Sequence, residues 1–220
     1  LIMPLFNKFI QVDDIEIETK IKTLCEKCDV RIKDFLKMDM SKRTNKANAF
    51  FTGIGKSKRI VIGDTLFNKY TPDEIEIVIA HEIGHYKKHH ILISMILTIL
   101  LTLSGLFIVN LVLNITLPVF NFYSIKEVAA FPLLILLLDV FFFILSPLMN
   151  FISRRFEKAA DEYAIKKSSN PRAFESLFYK ISEQNLSDVD PPFLIKFLRY
   201  SHPPIKERIE NALRIINNKT

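Results

Sequence analysis

The chain has 220 residues, of which 49% are hydrophobic and 25% charged, and its formal net charge is +6 at pH 7. A basic balance can indicate nucleic-acid binding. The sequence has no zinc-finger spacing, no aromatic-rich RNA-binding motif and no long basic run, which excludes the common modules of that class. The apolar residues are concentrated between Ile91 and Ser153, with ordinary polar sequence on either side. This asymmetry indicates a membrane protein.

The first predicted element is a helix over residues 14–38, in which apolar residues recur at a period near 3.6. It carries Cys25 and Cys28, a CxxC pair of the kind that can bind a metal or act in redox chemistry. No second CxxC follows, and the helical spacing of the surrounding apolar residues favours two reduced, half-buried thiols. Such thiols are consistent with a reducing compartment.

Two short strand-like runs follow, at about 47–52 and 59–62, and they predict a β-hairpin with Gly53 and Gly55 in its turn. The next helix is predicted to begin after Thr71. That residue is followed directly by proline and, three positions later, by glutamate, the pattern of a capped helix start. We expect this helix to run through the segment HEIGHYKKHH.

The segment HEIGH carries the clearest chemical signal in the sequence. His81 and His85 are four residues apart, so a helix places both imidazoles on one face, where they can reach one ion. Glu82 lies beside that ion and can take a proton from water. Zinc, as one ion, is inferred from the ligand type. The alternative is a pair of surface histidines on a lysine-rich helix.

Two long apolar runs, at about 91–117 and 128–153, predict a transmembrane helical hairpin, since each can cross a hydrocarbon core of about 30 Å. The alternative, a buried hairpin in a soluble protein, is disfavoured because both runs are almost free of charge. Asp139 interrupts the second run and is expected to face protein or water. Basic residues flank the outer ends and place them on the cytoplasmic side. These residues are Lys87, Lys88, Arg154 and Arg155.

A zinc protease site needs a third protein ligand. The extended motif HExxHxxGxxH fails here, because Lys88 and Ile91 occupy its glycine and histidine positions. His89 and His90 are expected to point to other faces of the helix and to lie at the membrane interface. The third ligand is therefore expected to be a carboxylate on another helix.

The segment RRFEKAADEYA supplies that carboxylate. Glu157 and Asp161 are four residues apart and share a helix face, so that one can bind the metal while the other fixes a ligand imidazole. Glu162 is the rival candidate, but its direction differs from that of Asp161 by about 100°. Because both ends of the hairpin emerge on one side, Glu157 and His85 are expected to meet just outside the bilayer.

His202 and Arg208 lie in the last polar segment, where a helix is predicted from residue 205 to 216. Either side chain could stabilise an oxyanion. Alternatively, His202 is a turn residue and Arg208 a solvated helix charge, and the residues alone favour this second reading.

Four segments occur in the order NKANAFFTGIGKSKRIVIGDTL, EIEIVIAHEIGHYKKHH, RRFEKAADEYA and SHPPIKERI, with the apolar hairpin before the third. Together they resemble the CAAX prenyl protease family of integral-membrane gluzincins over nearly all of the chain. The resemblance implies a role for each matched position. These positions are the zinc ligands His81, His85 and Glu157, the catalytic base Glu82, the second acid Asp161, the substrate-pairing residues Asn48 and Ala49, and the cleft residues His202 and Arg208.

Members of this family normally carry several further transmembrane helices before the region that begins here. The chain is therefore expected to correspond to the C-terminal, catalytic half of a multi-pass protein. The resemblance implies the inner membrane in a bacterium and the endoplasmic reticulum in a eukaryote.

The sequence thus predicts a mainly α-helical integral-membrane protein, with a helical zinc-protease domain, a small β-hairpin and a transmembrane hairpin. Residues 1–90 and 154–220 form the two parts of the catalytic domain, and residues 91–153 form the hairpin. The expected partners are the lipid bilayer and a peptide or protein substrate, prenylated or not, but no nucleic acid. The expected reaction is peptide-bond hydrolysis by metal-activated water. The alternatives are quality-control proteolysis of membrane proteins and a non-catalytic fragment that keeps a zinc site.

Overall fold

The fold is mainly α-helical, with one small sheet. The computed structural model describes residues 9–42, 44, 48–53, 58–122, 124–185 and 188–218. The strands within these ranges are β1 (Phe9–Gln11), β2 (Asp34–Met38), β3 (Ala49–Thr52) and β4 (Arg59–Gly63). The helices are α1 (Ile15–Lys27), α2 (Asp64–Lys69), α3 (Pro72–Lys87), α4 (His90–Thr116), α5 (Phe131–Lys167), α6 (Ala173–Asn185), α7 (Phe193–Arg199) and α8 (Ile205–Asn217).

The sheet has the strand order β1-β2-β4-β3. The predicted hairpin is confirmed, because β3 and β4 pair antiparallel with Ala49 opposite Ile62 and Thr52 opposite Arg59. Residue 47 and Gly55 lie outside the described residues. The hairpin is half of a larger sheet, since β4 also pairs in parallel with β2. This arrangement leaves β3 as an edge strand.

The predicted helix over 14–38 is wrong beyond Lys27, over nearly half of its length. α1 ends at Lys27, and Asp29 has a φ of 47°, a left-handed conformation that breaks the helix. The residues DFLKM then form β2, which pairs with strands on both sides. These five residues do not alternate between polar and apolar, so the pairing with the neighbouring strands, rather than a local period, makes them a strand. Cys25 and Cys28 are both free and buried, as expected of reduced thiols, and more deeply than predicted.

α3 begins as the sequence predicts. The Thr71 hydroxyl accepts a hydrogen bond from the backbone of Glu74 at 3.3 Å, and Glu74 accepts one from the backbone of Thr71 at 2.8 Å. Glu74 is buried, and Lys180 on α6 satisfies its charge at 2.7 Å. The start of α3 is thereby fixed both locally and against a neighbouring helix.

The core lies around α3, which packs against the sheet and against helices α1, α4, α5 and α6. Its closest approach is to α5. A Cβ atom built on Gly84 would lie 3.1 Å from the Ala160 Cα and 3.1 Å from the Tyr163 Cβ. Glycine at this position therefore lets the backbones of the two helices come together one turn beyond His81.

Helices α4 and α5 form the predicted hairpin. The apolar stretches His90–Phe120 and Val128–Lys167 are long and apolar enough to cross a membrane, and only 6% of the most apolar window of each is buried inside the protein. Asp139 lies exposed on α5.

The structure corrects one prediction for α5, because the apolar run and the ExxxD segment are not two helices but one. Pro147 lies inside this helix, where its ring removes the hydrogen bond to the carbonyl of Phe143. The hydroxyl of Ser146 donates to that carbonyl at 2.9 Å, so the helix continues without an orphaned backbone group.

Candidate metal centre

Helices α3 and α5 bring two imidazoles and one carboxylate together. His81 Nε2 and His85 Nε2 are 3.0 Å apart. Glu157 Oε2 lies 3.5 Å from His81 Nε2, and Glu157 Oε1 lies 3.3 Å from His85 Nε2. The rival Glu162 is directed elsewhere and lies 3.9 Å from Lys166. The predicted combination of two histidines with Glu157 therefore exists as a spatial cluster.

The spacing of this cluster fits a single zinc ion. Donor atoms at about 2.0–2.1 Å from a tetrahedral zinc are about 3.3 Å from one another, which matches the three separations. The surroundings also favour positive charge at this point. Burial by itself lowers the pKa of His81, but hydrogen bonds with Asp161 and Glu157 outweigh it and raise that pKa to about 9. Two imidazoles and a carboxylate are, in addition, a donor set that zinc prefers.

Asp161 and Arg208 orient the imidazole of His81 from the side opposite the cluster. Asp161 Oδ1 lies 2.9 Å from His81 Nδ1, so the His81 Nδ1–H donates to it and leaves Nε2 directed at the cluster. Arg208 grips the same carboxylate with two hydrogen bonds, from Nε at 2.8 Å and from Nη2 at 2.6 Å. Asp161 is buried, and this bidentate pairing keeps it ionised.

His202 lies at the mouth of the site. Its Nδ1 is 3.0 Å from Glu157 Oε2, while its side chain is 62% exposed. The loop Tyr200–Pro204 thus brings the imidazole over the cluster, with its Nε2 edge open to solvent. The structure brings both cleft residues expected from the resemblance, His202 and Arg208, to the cluster of candidate metal ligands.

The structure also reveals a residue that sequence reasoning missed. His90 is buried rather than exposed at the interface, and its Nδ1 lies 3.0 Å from His85 Nδ1. Its ring stacks on Phe156, with the ring centres 4.3 Å apart. On a continuous helix His90 would point about 140° away from His85. His89, with a φ of 55°, breaks the helix between α3 and α4 and turns His90 back.

Glu82 and the cluster line a cavity of about 410 Å³, together with His202, Arg208 and apolar side chains of α3, α4 and α6. Burial raises the pKa of Glu82, while His81 and His85 act in the opposite direction. A carboxylate with a raised pKa takes and returns a proton more readily near neutral pH. The cavity is large enough for a few peptide groups beside the cluster.

Asn48 and Ala49 lie at the edge of the sheet. The Asn48 carbonyl accepts a hydrogen bond from the Gly63 backbone at 2.9 Å, and Ala49 is the buried first residue of β3. β3 packs against α3, the helix that carries HEIGH. One edge of β3 is unpaired among the described residues, so it offers backbone groups to a further strand.

The family model for peptidase family M48 matches residues 12–216. The chain belongs to peptidase family M48. It is 37% identical to the uncharacterized metalloprotease YhfN of Bacillus subtilis, over 96% of this chain and 51% of that protein. It is 34% identical to CAAX prenyl protease 1 of Saccharomyces cerevisiae, over 99% of this chain and 52% of that protein. This M48 chain thus spans about half the length of the curated relatives it matches.

A solved structure gives the same picture. The crystal structure of S. mikatae Ste24p superposes with a TM-score of 0.81 at 32% identity, covering 96% of this chain and 53% of that one. The mainly α-helical fold that the sequence predicts is therefore confirmed for this M48 chain.

Proposed function

We propose that this chain forms the catalytic part of a membrane-embedded zinc endopeptidase, with one ion held by His81 Nε2, His85 Nε2 and a carboxylate oxygen of Glu157. The observation that carries the proposal is the spacing of these three donors, 3.0–3.5 Å, beside the carboxylate of Glu82. Membership of family M48 supports the same reaction class.

The residues divide the chemistry between them. Zinc in this site would polarise the scissile carbonyl and lower the pKa of water. Glu82 takes a proton from the attacking water at its carboxylate and passes it to the nitrogen of the leaving amine. Its raised pKa suits this exchange, because both the ionised and the protonated forms are then accessible.

Three further residues, Asp161, Arg208 and His202, position the metal ligands or contact the substrate and do not transfer the proton. Asp161, held ionised by Arg208, fixes His81 in the tautomer that directs Nε2 at the metal. The Arg208 guanidinium therefore acts chiefly through Asp161. His202 is better placed for substrate, because its exposed Nε2 edge can donate to the oxyanion of the tetrahedral intermediate.

The substrate is proposed to be an extended peptide that pairs with β3 beside Asn48 and Ala49, a form of β-strand addition. The similarity to proteins named CAAX prenyl proteases supports a substrate that carries a prenyl group. The basic residues at the outer ends of the hairpin support a cytoplasmic position for the domain. A farnesylated CAAX peptide and the same peptide without the lipid, assayed side by side, separate CAAX processing from general quality-control proteolysis.

The decisive experiment replaces Glu82 with glutamine in the reconstituted protein. We expect one zinc per chain to remain bound and hydrolysis to fall by at least about a thousandfold, as the proton acceptor is lost. His81→Ala is the matched variant, in which both the metal and the activity should be lost. Substantial cleavage by E82Q would refute the assignment of the base. Full metal content in H81A would refute the assignment of the ligands.

A further inference from the structure

Helix α7 is unusual for an extramembrane segment, because nearly all of its side chains are exposed and most are apolar. Phe193 is 77% exposed and Leu194 63%, and Ile195, Phe197 and Leu198 are exposed as well. A patch of this kind on a seven-residue helix marks contact with another apolar phase. No helix is predicted from the sequence at this position.

The position of α7 indicates that this apolar phase is the lipid bilayer. Its C-terminal carbonyls are held by α5 at the point where α5 leaves the predicted membrane span. Asn150 Nδ2 donates to the Leu198 carbonyl at 2.8 Å, and Arg154 Nη1 donates to the Tyr200 carbonyl at 2.5 Å. The adjoining surface of α5 is apolar and exposed at Phe151. The apolar face of α7 is thus continuous with the surface of the hairpin and lies at the same level as its end.

A cavity of about 510 Å³ lies beside this contact, between α5, α7 and α8, and is lined by both cations and aromatic rings. Arg154, Arg155 and Lys158 line it, and among the described residues none of the three has a carboxylate within 4.0 Å. The acidic residues of the same wall are already bound. Asp161 pairs with Arg208, Glu207 with Lys196, and Glu162 lies near Lys166. The aromatic walls include Phe151, Phe193 and Phe197.

We propose that this cavity is a binding site for an anionic phospholipid of the host bilayer. The phosphate lies against Arg155 and Lys158, and the acyl chains cover the apolar face of α7. Uncompensated cations at the membrane surface attract anionic headgroups, and short apolar helices at that level insert into the boundary between headgroups and acyl chains. A soluble phosphate would meet the same cations but would leave the aromatic walls exposed. The proposal does not depend on the metal site.

The first test locates α7 relative to lipid. The chain contains no tryptophan, so a single Phe193→Trp substitution gives one fluorophore in the reconstituted protein. Its emission should be quenched at least about threefold more by phospholipids brominated on the acyl chains than that of a Tyr179→Trp control, which lies exposed on α6. Equal quenching of the two variants overturns the membrane contact of α7.

The second test measures the headgroup preference. Energy transfer from the tryptophan of F193W to dansyl-labelled phosphatidylglycerol should exceed transfer to dansyl-labelled phosphatidylcholine in vesicles of otherwise equal composition. The added R155Q/K158Q pair should reduce the preference by about fivefold. The charge-matched control K22Q/K69Q, at two exposed lysines outside the cavity, should leave it unchanged.

Two results overturn the headgroup site. The first is an equal reduction in both double variants, which would mean that only net charge acts. The second is loss of the preference on adding inorganic phosphate at constant ionic strength, which would mean that the site is a general anion site rather than a lipid site.

Discussion

The domain around the metal cluster and the transmembrane hairpin are held in different ways. In the domain, each polar side chain of the cluster has a partner on a second element, as His81 has Asp161 on α5 and Asp161 has Arg208 on α8. In the described part of the hairpin, most side-chain hydrogen bonds stay within one helix, such as that from Ser104 to the Leu100 carbonyl, and the bond from Asn150 to α7 lies at its end. Most of its large apolar residues are exposed.

This difference indicates that the hairpin and the domain have separate structural roles. The hairpin brings the ends of α4 and α5 back to one side, but the atomic geometry of the site is set by contacts outside the membrane. Substitutions in the domain should therefore disturb the metal and the activity, whereas comparable substitutions in the hairpin should be tolerated.

The largest effect is expected from Arg208→Ala, which leaves the buried Asp161 carboxylate without its cation. Breaking such a pair costs about 3–5 kcal/mol, and His81 loses its fixed orientation as well. Thermal unfolding in detergent and zinc-dependent hydrolysis should both show the loss. The double variant R208A/D161A should regain part of the stability, because the carboxylate left without its bidentate cation is removed as well. Equal stability of the single variant and the unmodified protein would mean that the domain is not organised around this pair.

A matched pair of glycines compares the two regions directly. Gly84→Ala places a methyl group 3.1 Å from backbone of α5, and such overpacking costs about 1–3 kcal/mol. Gly105→Ala in the hairpin meets the ring of Phe141, a side chain that can turn away. We expect G84A to lower both the melting temperature and the activity and G105A to change little. The reverse order would show that the hairpin packing limits the protein.

The contact between His90 and His85 can be tested through metal affinity. His90→Phe keeps the stacking on Phe156 but removes the Nδ1 that faces His85. Loss of such a partner typically weakens metal binding by about 10–100-fold, which competition with a zinc chelator measures. His89→Asn, at the left-handed position beside it, should leave the affinity unchanged. An H90F protein with normal affinity would contradict a positioning role for His90.

The smallest effect concerns Cys25, whose burial raises its pKa to about 12. Its thiol should stay protonated and unreactive toward a thiol reagent at pH 8 in the folded state and react once the protein is unfolded. Cys28→Ala makes Cys25 the only thiol, so that one rate is measured. Rapid labelling of the folded C28A protein would mean that the α1 side of the domain opens more readily than its packing suggests.

The features that the sequence predicted well are local ones. Each of these features depends on residues within a single helix. They are the capping residues around Thr71, the four-residue spacing of His81 and His85, and the same spacing of Glu157 and Asp161. The pairing of the two helices followed from the hairpin, since both outer ends carry basic residues. These local rules sufficed for the cluster itself, although the roles of its members stay predictions.

The features that the sequence missed depend on distant partners or on single backbone angles. β2 is a strand because β1 and β4 pair with it, which no periodicity within 34–38 can reveal. His90 reaches His85 only because His89 takes a left-handed conformation. α7 is too short for a helical period to be recognised, and the continuity of α5 is hidden by the change from apolar to charged residues at Arg154.

Because α5 is one unbroken helix, Glu157 is held at a fixed distance from the end of the predicted membrane span. Glu157 lies four residues beyond Ser153, the last residue of the predicted span, which corresponds to about 6 Å along the helix axis. An extended chain covers that distance in about two residues. Under the proposed function, a substrate anchored in the same bilayer would therefore be cut within a few residues of its anchor, at a distance set by the few residues between the end of the predicted span and Glu157.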